Sequence, residues 1–397
     1  MLLDVPVSAT DVVVLGGGVI GAACAWRLAR RGLRVILVDP APGSGASGAA
    51  AGMLAPVSEV QPGEEPLLRL GCHAAQGYPD FVRELERVSG VVTGYRRCGT
   101  LAVALTADDR ARLAENRRLQ AGLGLTVEAL TGRRCRDLEP MLDPGVSAGT
   151  LIPDDHQVDP RRLLEALRIA ATAAGVVTVQ GSGTPERVDE ALAGVRLDSG
   201  TLVRAPRVVL ATGAWSRSVV PAVRPVKGQI LRLRMPAGEH VLRRTVRAVV
   251  HGRDVYLVPR ENGELVVGAT SEDVGLDQRV TAGAVHDLLR DAQALVPAVS
   301  ELELTGTTAR CRPGTPDNLP LIGPSVVPGL TLATGHHRNG VLLCAVTADA
   351  VAAALIDGEV PEGPVRACDP RRPGPARSAD IVTTGRDTAA AATAGRR

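Results

Sequence analysis

The stretch DVVVLGGGVIG (residues 11–21) decides the fold. Its first half, Val12 to Leu15, is an uninterrupted apolar run of the length a buried strand needs. Glycines follow at 16, 18 and 21, and a helical pattern continues from about Ile20 to Arg31. A second run, Arg34 to Val38, reads as another strand and ends at Asp39. Strand, glycine turn, helix and strand make a βαβ unit. Each glycine has a mechanical task. Gly16 permits the tight turn, Gly18 lets backbone approach a pyrophosphate, and Gly21 lets the helix pack close to the strand. The helix start then offers free N–H groups and a positive dipole end to phosphates. Asp39 can accept hydrogen bonds from ribose hydroxyls, and it would repel the 2′-phosphate of NADP. The unit predicts a dinucleotide site without choosing between a flavin and a nicotinamide.

Working outward, a stretch rich in Gly, Ala and Ser runs to Gly52, as suits a loop lying against a ligand. Residues 65–151 read as two or three helical segments around a strand at Thr100–Leu105. Asp159-Pro160 opens a helix that runs to about Ala174, with proline at its first position. Val176–Val179 and Arg207–Ala211 read as further buried strands. From Pro225 to Leu304 the pattern alternates, at Gln229–Arg234, Val246–Val250, Val255–Pro259 and Leu265–Ala269. Alternation predicts an antiparallel sheet with one face covered. A helix at Ala282–Leu295, a strand at Leu330–Thr334, a turn at Gly335–Gly340 and a helix from Val341 to Leu355 follow. The expected class is α/β: a Rossmann-like nucleotide-binding domain (1–64, 152–224 and 305–360). An α+β substrate domain with a mainly antiparallel sheet (65–151 and 225–304) is inserted in it. Residues 361–397, rich in Pro, Arg and Ala, are expected to form a disordered tail.

Composition removes several classes of function. The chain has 45 basic and 43 acidic residues, so it lacks the excess that a nucleic-acid or anionic-membrane partner requires. One Phe, two Trp and three Tyr cannot make a base-stacking series. The seven cysteines are odd in number and show no C-x-x-C spacing, and His336 and His337 are adjacent, so no metal site is expected. Reduced thiols in the cytoplasm are the expectation. No long uncharged apolar run predicts a membrane span.

Two later segments select the flavin. VVLATGAWS (208–216) is a strand ending at a Thr-Gly turn, and here the chain resembles FAD-dependent oxidoreductases, with Thr212 and Gly213 near the dinucleotide. LATGHHRNGVLL (332–343) sets Gly335 and Gly340 around a helix start, where the dipole would stabilise negative charge on a reduced flavin ring. With GASGAAAGMLAP (45–56), PDDHQVDPRRL (153–163), RPVKGQILRL (224–233), VYLVPR (255–260), LVVGATSEDVG (265–275), RPGTPDNLPLIG (312–323) and GHHRNG (335–340), the resemblance becomes specific. Over roughly residues 10 to 360 the chain resembles the D-amino-acid oxidase superfamily, and within it the glycine oxidases of bacterial thiamin synthesis.

That resemblance implies noncovalent FAD. It places Gly16, Gly18, Gly21, Val19, Ile20, Asp39 and Pro40 at the ADP part, and Ala46, Ser47, Ala51, Gly52 and Met53 along the flavin. The run His336, His337, Arg338, Asn339, Gly340, Val341 and Leu342 would close around the ring, and Val188 would touch the adenine by its backbone. Arg312 is implied as the bidentate partner of a substrate carboxylate, with Arg338 and Tyr256 beside it. The implied chemistry is oxidative deamination of glycine and small amines by hydride transfer to flavin, with oxygen as acceptor and no dedicated base. Thiazole synthase would accept the imine, and a homo-oligomer is the expected assembly. His337 stands where the family usually carries an aromatic residue, and Asp254 and Ser271 also depart from it, which leaves the substrate open. A D-amino-acid dehydrogenase, a sarcosine-oxidase-like enzyme and a noncatalytic flavin-binding protein are the competing readings.

Overall fold

The computed structural model describes residues 10–188, 191–236, 241–358, 362–372 and 381–386. A six-stranded sheet runs in the order Leu321–Pro324, Leu330–Thr334, Val208–Leu210, Val12–Leu15, Val35–Asp39, Val177–Gln180. Its pairings are parallel except that of Leu321–Pro324 with Leu330–Thr334. The βαβ unit stands at its centre, with the helix at Val19–Arg30. Strand residues alternate between two cores. Val12 and Val14 pack under the helices Val19–Arg30, Glu65–Ser89, Pro160–Ala173 and Gly340–Ala352. Val13 and Leu15 face a small sheet that includes Ala191–Leu197 and Leu202–Arg204. Burial on both sides is why Val12 to Leu15 read as a continuous apolar run rather than an alternating one.

The second sheet has eight strands, in the order Glu303–Gly314, Arg224–Arg234, Glu264–Gly268, Arg253–Pro259, Thr245–Val250, Thr100–Ala104, Ala148–Ile152, Glu128–Thr131. Its pairings are antiparallel apart from Thr245–Val250 with Thr100–Ala104. The helix Ala282–Leu295 covers one face through Leu288, Ala292 and Leu295. The other face meets the glycine–alanine loop, where Ala49 and Ala51 pack on Ile230, Val258 and Val266. Glu303–Gly314 pairs with Arg224–Arg234 along its length, so this sheet extends past the boundary expected at residue 304.

Local signals account for the element starts. Asp159 caps the helix Pro160–Ala173 by accepting from the Arg161 N–H at 2.9 Å. Thr106 and Asp109 form a capping box at the start of Ala107–Gly122. The segment His337–Asp357 is long and apolar enough to cross a membrane, and is the one such segment among the described residues. Here it packs against the helices Val19–Arg30 and Glu65–Ser89.

The tail expectation needs correction. Gly363–Cys368 forms a 3-10 turn that buries Val365 and Cys368 in the helical core, and Thr384–Arg386 pairs parallel with Gly183–Val188. A few apolar groups suffice to dock a Pro- and Arg-rich segment whose average composition hides them. Residues 361, 373–380 and 387–397 lie outside the described residues.

Candidate active site

A cavity of about 1440 Å³ lies between the two large sheets. That exceeds the usual small-molecule pocket of roughly 300–1,000 Å³ and suits a dinucleotide plus a small substrate. Its walls follow the fingerprint. Gly16 turns with φ 101°, and a β-carbon there would collide with the Ala211 carbonyl. Gly18 precedes the helix Val19–Arg30, and the Val19 N–H donates to Ser47 Oγ at 3.0 Å. Asp39 ends its strand and accepts from the N–H groups of Gly17 (2.5 Å) and Ala41 (2.7 Å). A carboxylate has four acceptor sites, so it retains capacity for ribose hydroxyls. The glycine cradle, the helix N-terminus and the acid at the strand end fit an adenine dinucleotide.

Further along, the cavity is lined by Ala51, Gly52 and Met53 on one side and by His336, His337, Gly340 and Val341 on the other. Arg260, buried after the strand Arg253–Pro259, fixes this end. It donates to the carbonyls of Ala51 and Val158 (2.8 Å for the latter) and to Gln157 Oε1 at 2.9 Å. Burial lowers its guanidinium to about 10, which still leaves it cationic at neutral pH.

Arg312 and Tyr256 line the same cavity. Both stand over glycines of the eight-stranded sheet. A β-carbon at Gly228 would overlap the Arg312 guanidinium, and one at Gly268 would overlap the Tyr256 ring. Arg312 donates to the Thr270 carbonyl at 3.3 Å, and its side chain also interacts with the Tyr256 hydroxyl. Burial pushes the Tyr256 phenol up, so it stays a neutral donor. Among the described residues no carboxylate lies within ion-pair distance of Arg312. The neighbouring arginines differ. Glu59 pairs with Arg247 at 2.5 Å and with Arg338 at 3.3 Å, and Glu64 takes Arg338 at 2.5 Å. Burial alone would raise the Glu59 carboxyl, but the charges of Arg247 and Arg338 outweigh it and hold it below the usual range.

The structure gathers most of the residues expected at the site. Gly16, Gly18, Val19, Ile20, Asp39, Pro40, Ala46, Ser47, Ala51, Gly52, Met53, Thr212, Gly213, His336, His337, Arg338, Gly340, Val341, Arg312 and Tyr256 all line this one cavity. Four do not. Gly21 packs against the Gly16 carbonyl, the helix-packing task expected of it. Leu342 is buried in the helical core, and Asn339 turns its N–H back to the His336 carbonyl at 2.9 Å. Val188 sits at the far end of the strand Gly183–Val188, whereas Gly181 to Thr184, at and before its near end, form the cavity wall. Arg338 lines the cavity but is neutralised by two carboxylates, so it is a poorer receptor for a substrate anion than expected. His336 holds its ring by Nε2, 3.0 Å from Thr347 Oγ1 on the helix that follows, and burial lowers it to about 3. His337 is lowered to about 4 by burial and then by Arg338 and Arg312, so it is neutral at physiological pH.

Glu59, Arg247, Arg260, Gly228 and Gly268 were not picked out from the sequence. The pairs they form join residues far apart in the chain, and a glycine inside a strand signals only a close approach of unknown identity.

The matching family model spans residues 11–354. The chain belongs to the FAD-dependent oxidoreductase family. This oxidoreductase is 37% identical over 354 residues to the bifunctional protein ThiO/ThiG of Nostoc sp., covering 87% of this chain and 53% of that one. It is 35% identical over 346 residues to glycine oxidase of Geobacillus kaustophilus, covering 85% and 90%. Its fold superposes on the crystal structure of glycine oxidase from Geobacillus kaustophilus with a TM-score of 0.84 at 34% identity, over 92% of this chain and 99% of that one. The chain spans about half the length of the ThiO/ThiG relatives it matches. Membership makes FAD the cofactor of the cavity described above.

Proposed function

We propose that this oxidoreductase converts glycine, with oxygen and water, to glyoxylate, ammonia and hydrogen peroxide, and other small amines to the matching carbonyl compound, hydrogen peroxide, and ammonia or the corresponding released amine. The observation that carries the reading is Arg312: a guanidinium that faces the cofactor cavity and has no carboxylate partner among the described residues, beside two arginines that have theirs. An α-amino acid brings the missing carboxylate. The planar fork of Arg312 would hold it bidentately, and the neutral Tyr256 hydroxyl would donate a further hydrogen bond.

FAD, when bound, accepts the hydride that leaves the substrate's α-carbon and passes the electrons to oxygen. The chain's own contribution is orientation and electrostatics. Arg312 and Tyr256 fix one end of the substrate, and the loop Ala51 to Met53 sets the surface its α-carbon faces. Apolar packing of Ala49 and Ala51 against Ile230 and Val258 keeps the support dry. Desolvation there favours the uncharged amine, whose lone pair assists departure of hydride. No residue is needed as a base in that step.

The names of the bifunctional relatives support a thiazole synthase as acceptor of the imine, in the thiamin route. We also propose noncovalent FAD, a cytoplasmic location consistent with seven free cysteines, and a homo-oligomer, checked by light scattering. The function is tested by peroxide release across glycine, sarcosine and D-amino acids with wild type and Arg312→Ala. Highest turnover on glycine, lost through KM in the variant, is expected. Substrate reduction of the flavin without peroxide would point to a dehydrogenase, and intact turnover by Arg312→Ala would defeat the assignment.

A further inference from the structure

The cavity wall holds a half-buried carboxylate, Glu59, close enough to Arg312 for the two charges to interact. A carboxylate there resembles the very group Arg312 is proposed to receive, so something must keep the two apart. Arg247 stands on the strand Thr245–Val250 directly opposite Tyr256, and both side chains emerge on the cavity face of the sheet. Its Nη1 lies 2.5 Å from Glu59 Oε1, while Arg338 Nε takes the other oxygen at 3.3 Å. Glu59 is thus held from two sides, on the loop that runs from Ala55 to Glu64. That loop is fixed at its start by Asp155, which accepts from the N–H groups of Val57 (3.1 Å) and Ser58 (2.7 Å).

We infer that Arg247 is a positioning residue that holds Glu59 away from Arg312, so that Arg312 stays open for the substrate carboxylate. The inference rests on the reading of Arg312 as a carboxylate receptor. Without Arg247, Glu59 keeps only Arg338, which it shares with Glu64, so the two carboxylates face the cavity with one net negative charge. Glu59 then either pairs with Arg312 or repels an incoming carboxylate. In both cases removal of the Glu59 charge restores binding, which a directly contacting Arg247 would not allow.

The test is the dissociation constant of acetate, a carboxylate with no amine to oxidise. It is read from the flavin absorbance of the holoenzyme, for wild type, Arg247→Met, Glu59→Gln and the double variant. Retention of the flavin spectrum reports that each variant is folded. Arg247→Met is expected to weaken acetate roughly tenfold or more, as loss of one charge-assisted contact does. The double variant is expected to return to within about threefold of wild type, and Glu59→Gln alone to bind acetate at least as tightly as wild type. If Arg247→Met binds acetate normally, or the double variant stays as weak as Arg247→Met, the inference is wrong. If Arg247→Met does not retain flavin, Glu59→Gln decides: weaker acetate binding in that variant overturns the inference. Failure of the underlying reading looks different, because wild type would then not bind acetate at all.

Discussion

The guanidinium of Arg312 lies flat against the backbone of Gly228, where any β-carbon would overlap it. The two residues sit on paired strands, Val226 and Arg310 being the respective partners across the ladder. A glycine in a strand interior costs stability, and here that cost leaves room for a charged group. Gly228→Ala is expected to displace Arg312 and lower kcat/KM for glycine on the order of 100-fold, with FAD content unchanged. Steady-state kinetics with a flavin count per chain checks this.

Asp39 is the acid at the end of the fingerprint and also holds the Gly17 N–H. Asp39→Ala removes a charged acceptor and loosens the turn. FAD is expected to bind roughly tenfold more weakly or worse, since a hydrogen bond to a charged group is worth about 1.5–3 kcal/mol. Flavin released on ultrafiltration measures it, and the Arg312 site should keep its acetate affinity once flavin is resupplied.

Burial pushes Asp155 up to about 6 from 3.8, despite the N–H groups of Ser58 and Val57 aimed at it. Between these two values the folded protein holds a proton that the unfolded chain has lost. Stability from this group is therefore full below about pH 4 and falls as pH rises towards 6, by about 3 kcal/mol in all. Asp155→Asn is expected to flatten that part of the stability profile. Denaturant melts at pH 4, 5, 6 and 7 test it, and an unchanged slope in the variant would refute the assignment.

Cys311 precedes Arg312 on the same strand, so its side chain leaves by the opposite face. Its Sγ lies 3.5 Å from the Gly275 carbonyl, and burial raises the thiol above its ordinary value. A protonated thiol is a poor nucleophile towards flavin. The cofactor is expected to leave the protein completely on denaturation. Yellow fluorescence that stays with the chain on a denaturing gel, and vanishes in Cys311→Ser, would show a covalent link instead.

His337 has φ 45°, a region that costs a side chain with a β-carbon roughly 1 kcal/mol or more. His337→Gly should relieve that strain and raise the melting temperature by about a degree. Because His337 is already neutral, with its value lowered to about 4, His337→Phe should leave the pH profile of kcat unchanged between pH 6 and 9.

The parts legible in the sequence are those whose meaning is local. Gly16, Gly18, Gly21 and Asp39 declare their tasks by spacing within one βαβ unit, and Asp159-Pro160 declares a helix start. The small sheet at Gly183–Val188, Ala191–Leu197 and Leu202–Arg204 was not foreseen, since its half-exposed strands carry no continuous apolar run. Arg338 was expected to meet substrate because its motif names it. Its partners Glu59 and Glu64 lie more than 270 residues away, and no local pattern shows that they neutralise it. The contrast between Arg338 and Arg312 is a tertiary fact: neither ARCRPG (309–314) nor GHHRNG (335–340) shows which carboxylates will surround its arginine.

Arg260 ties the backbone of Ala51, on the cofactor side, to the sheet that carries Tyr256 and Arg312. On the proposed reading, the surface facing the cofactor and the carboxylate receptor are thereby tied into a single gauge. Such a gauge measures how many bonds separate a substrate's carboxylate from the carbon that gives up hydrogen. An α-amino acid meets it with one bond between the two carbons. A β-amino acid overshoots by one, so on the proposed reading it is expected to be a poor substrate.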